Sequence, residues 1–211
     1  MISVSLGDKT VSGLKACAFL LALLPVVKLI YNGWQDALGA NPIEKIIHTT
    51  GYWTLTFLLI SLAPTPLRQL SNMSWPIRFR RMFGLFAFFY ACLHFLSYLV
   101  LDQFFDWPGI VEDIGKRPYI SIGFSAFLGL IPLALTSSNT MQRRMGGRRW
   151  RQLHRLVYPI AFAGVLHFIW LVKKDLSRPL IFAGILMLLL AIRLIFHQLK
   201  KARTRTGGLA L

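Results

Sequence analysis

Acidic residues are scarce in this chain: 8 Asp and Glu stand against 24 Lys and Arg, a formal net charge of +16. That imbalance would suit nucleic acid if the cations shared one soluble face. Here they lie between long apolar runs, as in membrane loops, so nucleic acid is excluded as a partner. Cysteine is scarcer still, with only Cys17 and Cys92, both inside apolar runs. Neither a disulfide framework nor a thiolate metal motif can be built from them. No P-loop, G-x-G-x-x-G fingerprint, zincin motif or nucleophile elbow is present, so the chain has no nicotinamide site of its own. A cleavable signal is not expected either, because the first apolar run is too long and no A-x-A-like site follows it.

Apolar sequence is what the chain has in quantity. Hydrophobic residues make up 55% of the 211, and the mean hydropathy is +0.55. The runs predict an all-α integral membrane protein, a single domain over 1–211, with six spans at about 14–31, 51–67, 83–101, 118–137, 154–172 and 179–196. Each is long enough for a helix to cross about 30 Å of hydrocarbon at about 1.5 Å per residue. Backbone groups in lipid must satisfy one another, which makes these runs helices. Pro118 and Pro179 fit helix starts, while Pro25, Pro64, Pro132 and Pro159 are expected to kink or end theirs. Lys15, Lys28 and Arg193 sit where long side chains snorkel. The basic loops carry Arg68, Arg78, Arg80 and Arg81, then Arg143, Arg144, Arg148, Arg149 and Arg151, with Lys200, Lys201, Arg203 and Arg205 in the tail. By the positive-inside rule both termini are cytoplasmic.

Five histidines are present, and two, His94 and His167, lie deep in apolar spans. An ionisable group at that depth is costly and marks function, and a metal gives an imidazole nitrogen its partner. Counted along spans three and five, both entered from the same side, the two differ in height by only about 3 Å. They are therefore candidates for the axial pair of a b-type haem. Gly84, Ala87 and Ala91 before His94, and Ala163 and Gly164 before His167, are expected to leave a trough for the macrocycle. The competing reading is a pair of core histidines acting as polar glue in a transporter or scaffold. His154 lies about 20 Å from His167 along the helix. It is read either as a ligand of a second haem or as a boundary residue, because Arg80 or Arg81, and no histidine, occupies the matching position before His94. His48 is expected at the entry of span two, with Thr49 or Thr50 as cap, where it could contact a propionate, a quinone or a partner. His197 reads as a boundary residue.

Several motifs add to this. Arg78-Phe-Arg-Arg-Met-Phe-Gly-Leu85, His94 followed by Ser97-Tyr98, Arg117-Pro-Tyr119, Leu135-Thr-Ser137 and Trp150-Arg-Gln-Leu-His154-Arg-Leu-Val-Tyr158 stand along the chain. Together they resemble the MsrQ (YedZ) family, the haem-binding membrane subunits of the MsrPQ protein-methionine-sulfoxide reductase system, within the ferric-reductase-like transmembrane group. The resemblance covers Leu14 to about Phe196. It implies an electron-transfer subunit in the bacterial inner membrane that binds haem b and FMN. Electrons would come from the quinone pool or a cytoplasmic flavin reductase. They would pass to the periplasmic molybdopterin enzyme MsrP, which holds the catalytic site and repairs methionine sulfoxide in envelope proteins. His94, His154 and His167 match the family's haem-linked histidines. Arg80 or Arg81 matches a basic position near a second haem. The residues place no FMN site, and the haem count stays at one or two. A ferric-chelate reductase is the redox alternative; the lack of a fused NADPH/FAD domain counts against it.

Overall fold

The computed structural model describes residues 7–207, with side chains as far as 202, so the side chains of Arg203 and Arg205 in the basic tail lie outside the described residues. The order is α1 (Asp8–Trp34), α2 (Pro42–Leu62), α3 (Pro64–Ser71), a 3₁₀ turn (Trp75–Phe79) and α4 (Arg80–Leu96). A π turn (Ser97–Asp102), α5 (Trp107–Lys116), α6 (Pro118–Leu135), α7 (Asn139–Met145) and α8 (Gly147–Leu153) follow. A second 3₁₀ turn (His154–Leu156), α9 (Val157–Leu171) and α10 (Ser177–Gly207) complete the described residues. Among the described residues, six helical stretches are long and apolar enough to cross a membrane, as the sequence predicts. Leu20, Leu21, Val27 and Ile30 on α1 and Met187, Leu188 and Leu194 on α10 are exposed. Such outward apolar faces suit lipid rather than water.

Two helix pairs form the centre. α2 packs closely along α4, and α6 along α9, while the two pairs touch each other less extensively. Phe57, Phe86, Ala87, Tyr90, Ile160, Ala161 and Val165 are buried in the shared core. α1 joins this core through one buried hydroxyl. Pro25 inside α1 disrupts the local ladder, and there the Tyr90 hydroxyl donates to Ala22 O (2.8 Å) and accepts from Val26 N (3.2 Å). Tyr90 thus fills a break that proline opens.

α2 begins earlier than the sequence suggests. The Asn41 side chain caps it by accepting from Glu44 N at 3.2 Å, and Pro42 occupies the first turn. Neither Thr49 nor Thr50 is the cap, so His48 sits nearly two turns inside the helix. The hydropathy signal overlooked a polar first turn that an Asn-Pro start readily nucleates. At its other end α2 reaches Pro64 and Pro66. Pro66 has no N–H for the Leu62 carbonyl, and Arg193 of α10 donates to that carbonyl and to the Tyr158 hydroxyl instead. Its guanidinium carbon also stands 5.2 Å from the Tyr158 ring centre. Arg193 therefore turns inward to stitch α10 to α2 and α9. The expectation that it snorkels fails because a proline-freed carbonyl offers it a closer partner.

Candidate haem-ligand site

Span four starts at Pro118, so Tyr119 lies in the first turn of α6, and Ile47 is the sixth residue of α2. Both backbone carbonyls receive an imidazole from a neighbouring helix. His94 on α4 places Nδ1 3.0 Å from Ile47 O, and His167 on α9 places Nδ1 2.7 Å from Tyr119 O. A carbonyl can only accept, so each Nδ1 carries the proton and donates. Each Nε2 is left as the nitrogen not engaged by a backbone carbonyl. Metal-ligating histidines take this tautomer, held by a carbonyl on the other ring nitrogen.

The two rings are neighbours, with centres 6.1 Å apart and planes at 77°. An imidazole–metal bond of about 2.0 Å plus roughly 1.1 Å from nitrogen to ring centre gives about 6.2 Å between two rings on one ion. The residues present therefore fit a bis-histidine haem. No larger donor set competes, since no group of three or more His, Cys, Asp and Glu that could hold a metal is found among the described residues.

The same local device seats both rings, and the sequence reading missed it. Four residues after each accepting carbonyl stands a glycine: Gly51 after Ile47 and Gly123 after Tyr119. A Cβ at Gly51 would lie 3.0 Å from His94 Cε1, and one at Gly123 would lie 2.6 Å from His167 Nδ1. The carbonyl at position i already accepts the helical N–H of i+4. A ring reaching the same oxygen must pass beside the side chain of i+4, and only glycine leaves that path open. The small residues on the histidines' own helices have different surroundings. Ala87 and Ala91 are buried in the core, Gly84 has nothing within 4 Å of where its Cβ would be, and Gly164 faces Leu55. A further readable signal was a glycine one turn after each accepting carbonyl on the partner helix.

A polar network closes this end of the bundle. Tyr98, one turn beyond His94, donates to Asp113 (3.2 Å), and Arg117 pairs with Asp113 at 3.1 Å. Tyr119 and then Asp113 push the Arg117 pKa up, which keeps the guanidinium charged. Asp113 thereby ties the π turn after His94 to the turn that carries the Tyr119 carbonyl.

The remaining candidates lie elsewhere. His154 stands in the 3₁₀ turn between α8 and α9, within the same helical stretch, Gly147–Leu171, that carries His167. Its Nε2 is 3.1 Å from Thr136 Oγ1, and Trp150 stacks on it at 4.0 Å. Trp150 Nε1 also donates to Thr136 O at 2.9 Å. Arg80 is the charged neighbour of His154, whereas Arg81 turns to Asn139 at 2.8 Å. His48 is exposed at the opposite end and lines two adjoining clefts of about 440 and 350 Å³ together with Asn41 and Glu44. His197 is exposed on α10.

A bundle of apolar, membrane-length helices places the chain in the class of multi-span membrane proteins, and comparison with known proteins narrows that class. Residues 48–165 match the family model for the ferric reductase like transmembrane component. Curated relatives are closer. A protein of Rhodospirillum rubrum is 58% identical over 86% of this chain and 87% of its own length. One from Herminiimonas arsenicoxydans is 52% identical over 90% and 88%, and one from Azospira oryzae is 50% identical over 89% and 81%. All three bear the name protein-methionine-sulfoxide reductase heme-binding subunit MsrQ. The chain belongs to the MsrQ family, within the ferric-reductase-like transmembrane group.

Proposed function

We propose that this protein binds a b-type haem between His94 and His167 and serves as the electron-transfer subunit of a methionine-sulfoxide reductase system. The observation that carries this reading is the adjacent imidazole pair, with ring centres 6.1 Å apart and both Nδ1 atoms spent on backbone carbonyls. Relatives named as heme-binding subunits support it. A haem held there supplies a one-electron carrier whose potential depends on ligand basicity, burial and hydrogen bonding. His94 and His167 supply the nitrogens, Ile47 and Tyr119 fix the tautomer, and Gly51 and Gly123 admit the rings. None of these residues needs to move a proton.

The finer assignments rest on the family. Electrons enter from the quinone pool or a cytoplasmic flavin reductase, and leave for a periplasmic molybdopterin reductase, MsrP, on the far side of the bacterial inner membrane. FMN is a second cofactor, with no residues assigned to it. His154 is the histidine left for a second haem, with Arg80 beside it for an anionic edge. His48, at the mouth of its clefts, is placed to meet a propionate, a quinone or the partner.

An absorption spectrum of the purified protein tests the core of this. A reduced b-type α band should be present, and should be lost in His94→Ala and in His167→Ala. A colourless, folded wild type would leave the histidines as packing groups of a scaffold or transporter. A pyridine haemochrome assay gives one or two haems per chain, and a loss of one of two in His154→Ala would assign that residue. Faster reoxidation by MsrP with methionine sulfoxide than by ferric citrate separates the reductase subunit from a ferric-chelate reductase.

A further inference from the structure

The two axial histidines sit in matching devices, but the match breaks at one position. Three residues after Ile47 stands Thr50; three after Tyr119 stands Ile122. Thr50 is buried, at 2% exposure, and its hydroxyl lies 2.8 Å from Ile46 O and 3.0 Å from Ile47 O. The Ile47 carbonyl therefore faces the helical N–H of Gly51, the His94 Nδ1–H and a share of the Thr50 proton. Ile122 has no hydroxyl, and Tyr119 O faces the helical N–H and the His167 Nδ1–H alone. The lengths follow that count: 3.0 Å for His94 against 2.7 Å for His167.

We infer that Thr50 is a positioning residue that makes the two haem ligands unequal, weakening the His94 N–H···O bond and so raising the haem's reduction potential. The inference rests on the bis-histidine reading above. An N–H donated to a carbonyl makes the imidazole a more basic ligand, and a more basic ligand favours the ferric state. A carbonyl oxygen shared with a further donor accepts each of them less strongly. The Thr50 hydroxyl thus withdraws basicity from His94 without touching the ring. His167, with an acceptor free of any side-chain donor, remains the stronger ligand. Thr50 has no other hydrogen-bonding role toward a neighbouring helix: both of its acceptors are carbonyls of its own preceding turn.

The test is a redox titration of full-length protein in detergent or nanodiscs, followed by the reduced α band. Thr50→Val keeps the shape and removes the hydroxyl. Its midpoint potential should fall, raising the ferric-to-ferrous ratio roughly two- to five-fold at a fixed poise, the scale of one partly weakened hydrogen bond. Thr50→Ser should restore the wild-type value. Ile122→Thr, which offers a donor to the Tyr119 carbonyl, should shift the potential upward. Thr54→Val is the control: its hydroxyl reaches only Thr50 O, at 2.9 Å, and its loss should leave the potential in place. A Thr50→Val potential equal to that of wild type, or one moved upward, overturns the inference. If instead the wild type shows no b-type band, or His94→Ala retains it, the bis-histidine reading itself has failed.

Discussion

At the scale of single residues, the seating of the two imidazoles depends on groups that would not themselves bond a haem. Gly123 is the sharpest case. A methyl there would stand 2.6 Å from His167 Nδ1, against 3.0 Å from His94 Cε1 for a methyl at Gly51. The first distance forces the ring to move; the second asks a neighbour to yield by a few tenths of an ångström. Displacing His167 also breaks its 2.7 Å bond to Tyr119 O. Loss of such an orienting contact lowers metal-site affinity by about 10- to 100-fold. Gly123→Ala should therefore purify with substoichiometric haem, while Gly51→Ala should keep its haem with a shifted potential. Haemochrome stoichiometry ranks the two. Equal occupancy in both variants would remove the glycine from the account of how the rings are seated.

At the scale of elements, proline sets the terms on which the helices are joined. Pro25 opens α1 and Tyr90 fills the break; Pro66 frees the Leu62 carbonyl and Arg193 takes it. Tyr90→Phe leaves Ala22 O and Val26 N without the hydroxyl, inside a core where Tyr90 is 1% exposed. The expected cost is about 1–3 kcal/mol. It should appear as a lower midpoint in a denaturant or thermal scan, with α1 becoming the most readily cleaved element in limited proteolysis. Arg193→Met should behave similarly at the opposite end, because it strands the Leu62 carbonyl and the Tyr158 hydroxyl together. These junctions also mark where the sequence could be read and where it could not. Span number and the nearness of His94 to His167 were legible, because apolar length and the depth of an ionisable group in its span are local properties of the chain. The start of α2 was not, because Asn41-Pro42 nucleates a turn too polar to register as a span. Nor was the inward turn of Arg193, or the Ile47–Gly51 and Tyr119–Gly123 seats. Each depends on which helix packs beside which, and composition does not encode that.

At the scale of the whole molecule, the imidazole pair is not centred in the bundle. His167 is fixed to the first turn of α6, and His94 to a carbonyl five residues beyond the start of α2. Both starts lie at the end opposite the Arg-rich turns around Arg78–Arg81 and Arg143–Arg151. We propose from their charge that those turns face the cytoplasm, which places the pair near the outer face, within about two helical turns of it. Electron exchange with a membrane-impermeant acceptor should then depend on which face is presented. In right-side-out spheroplasts, ferricyanide should oxidise the dithionite-reduced haem faster than it does in inverted vesicles. His167→Ala should abolish the signal in both preparations. Faster oxidation in inverted vesicles would reverse the orientation, and with it the assignment of the outer face as the side from which electrons leave. If the two rates match, the pair must lie too near the midplane for delivery to a partner outside.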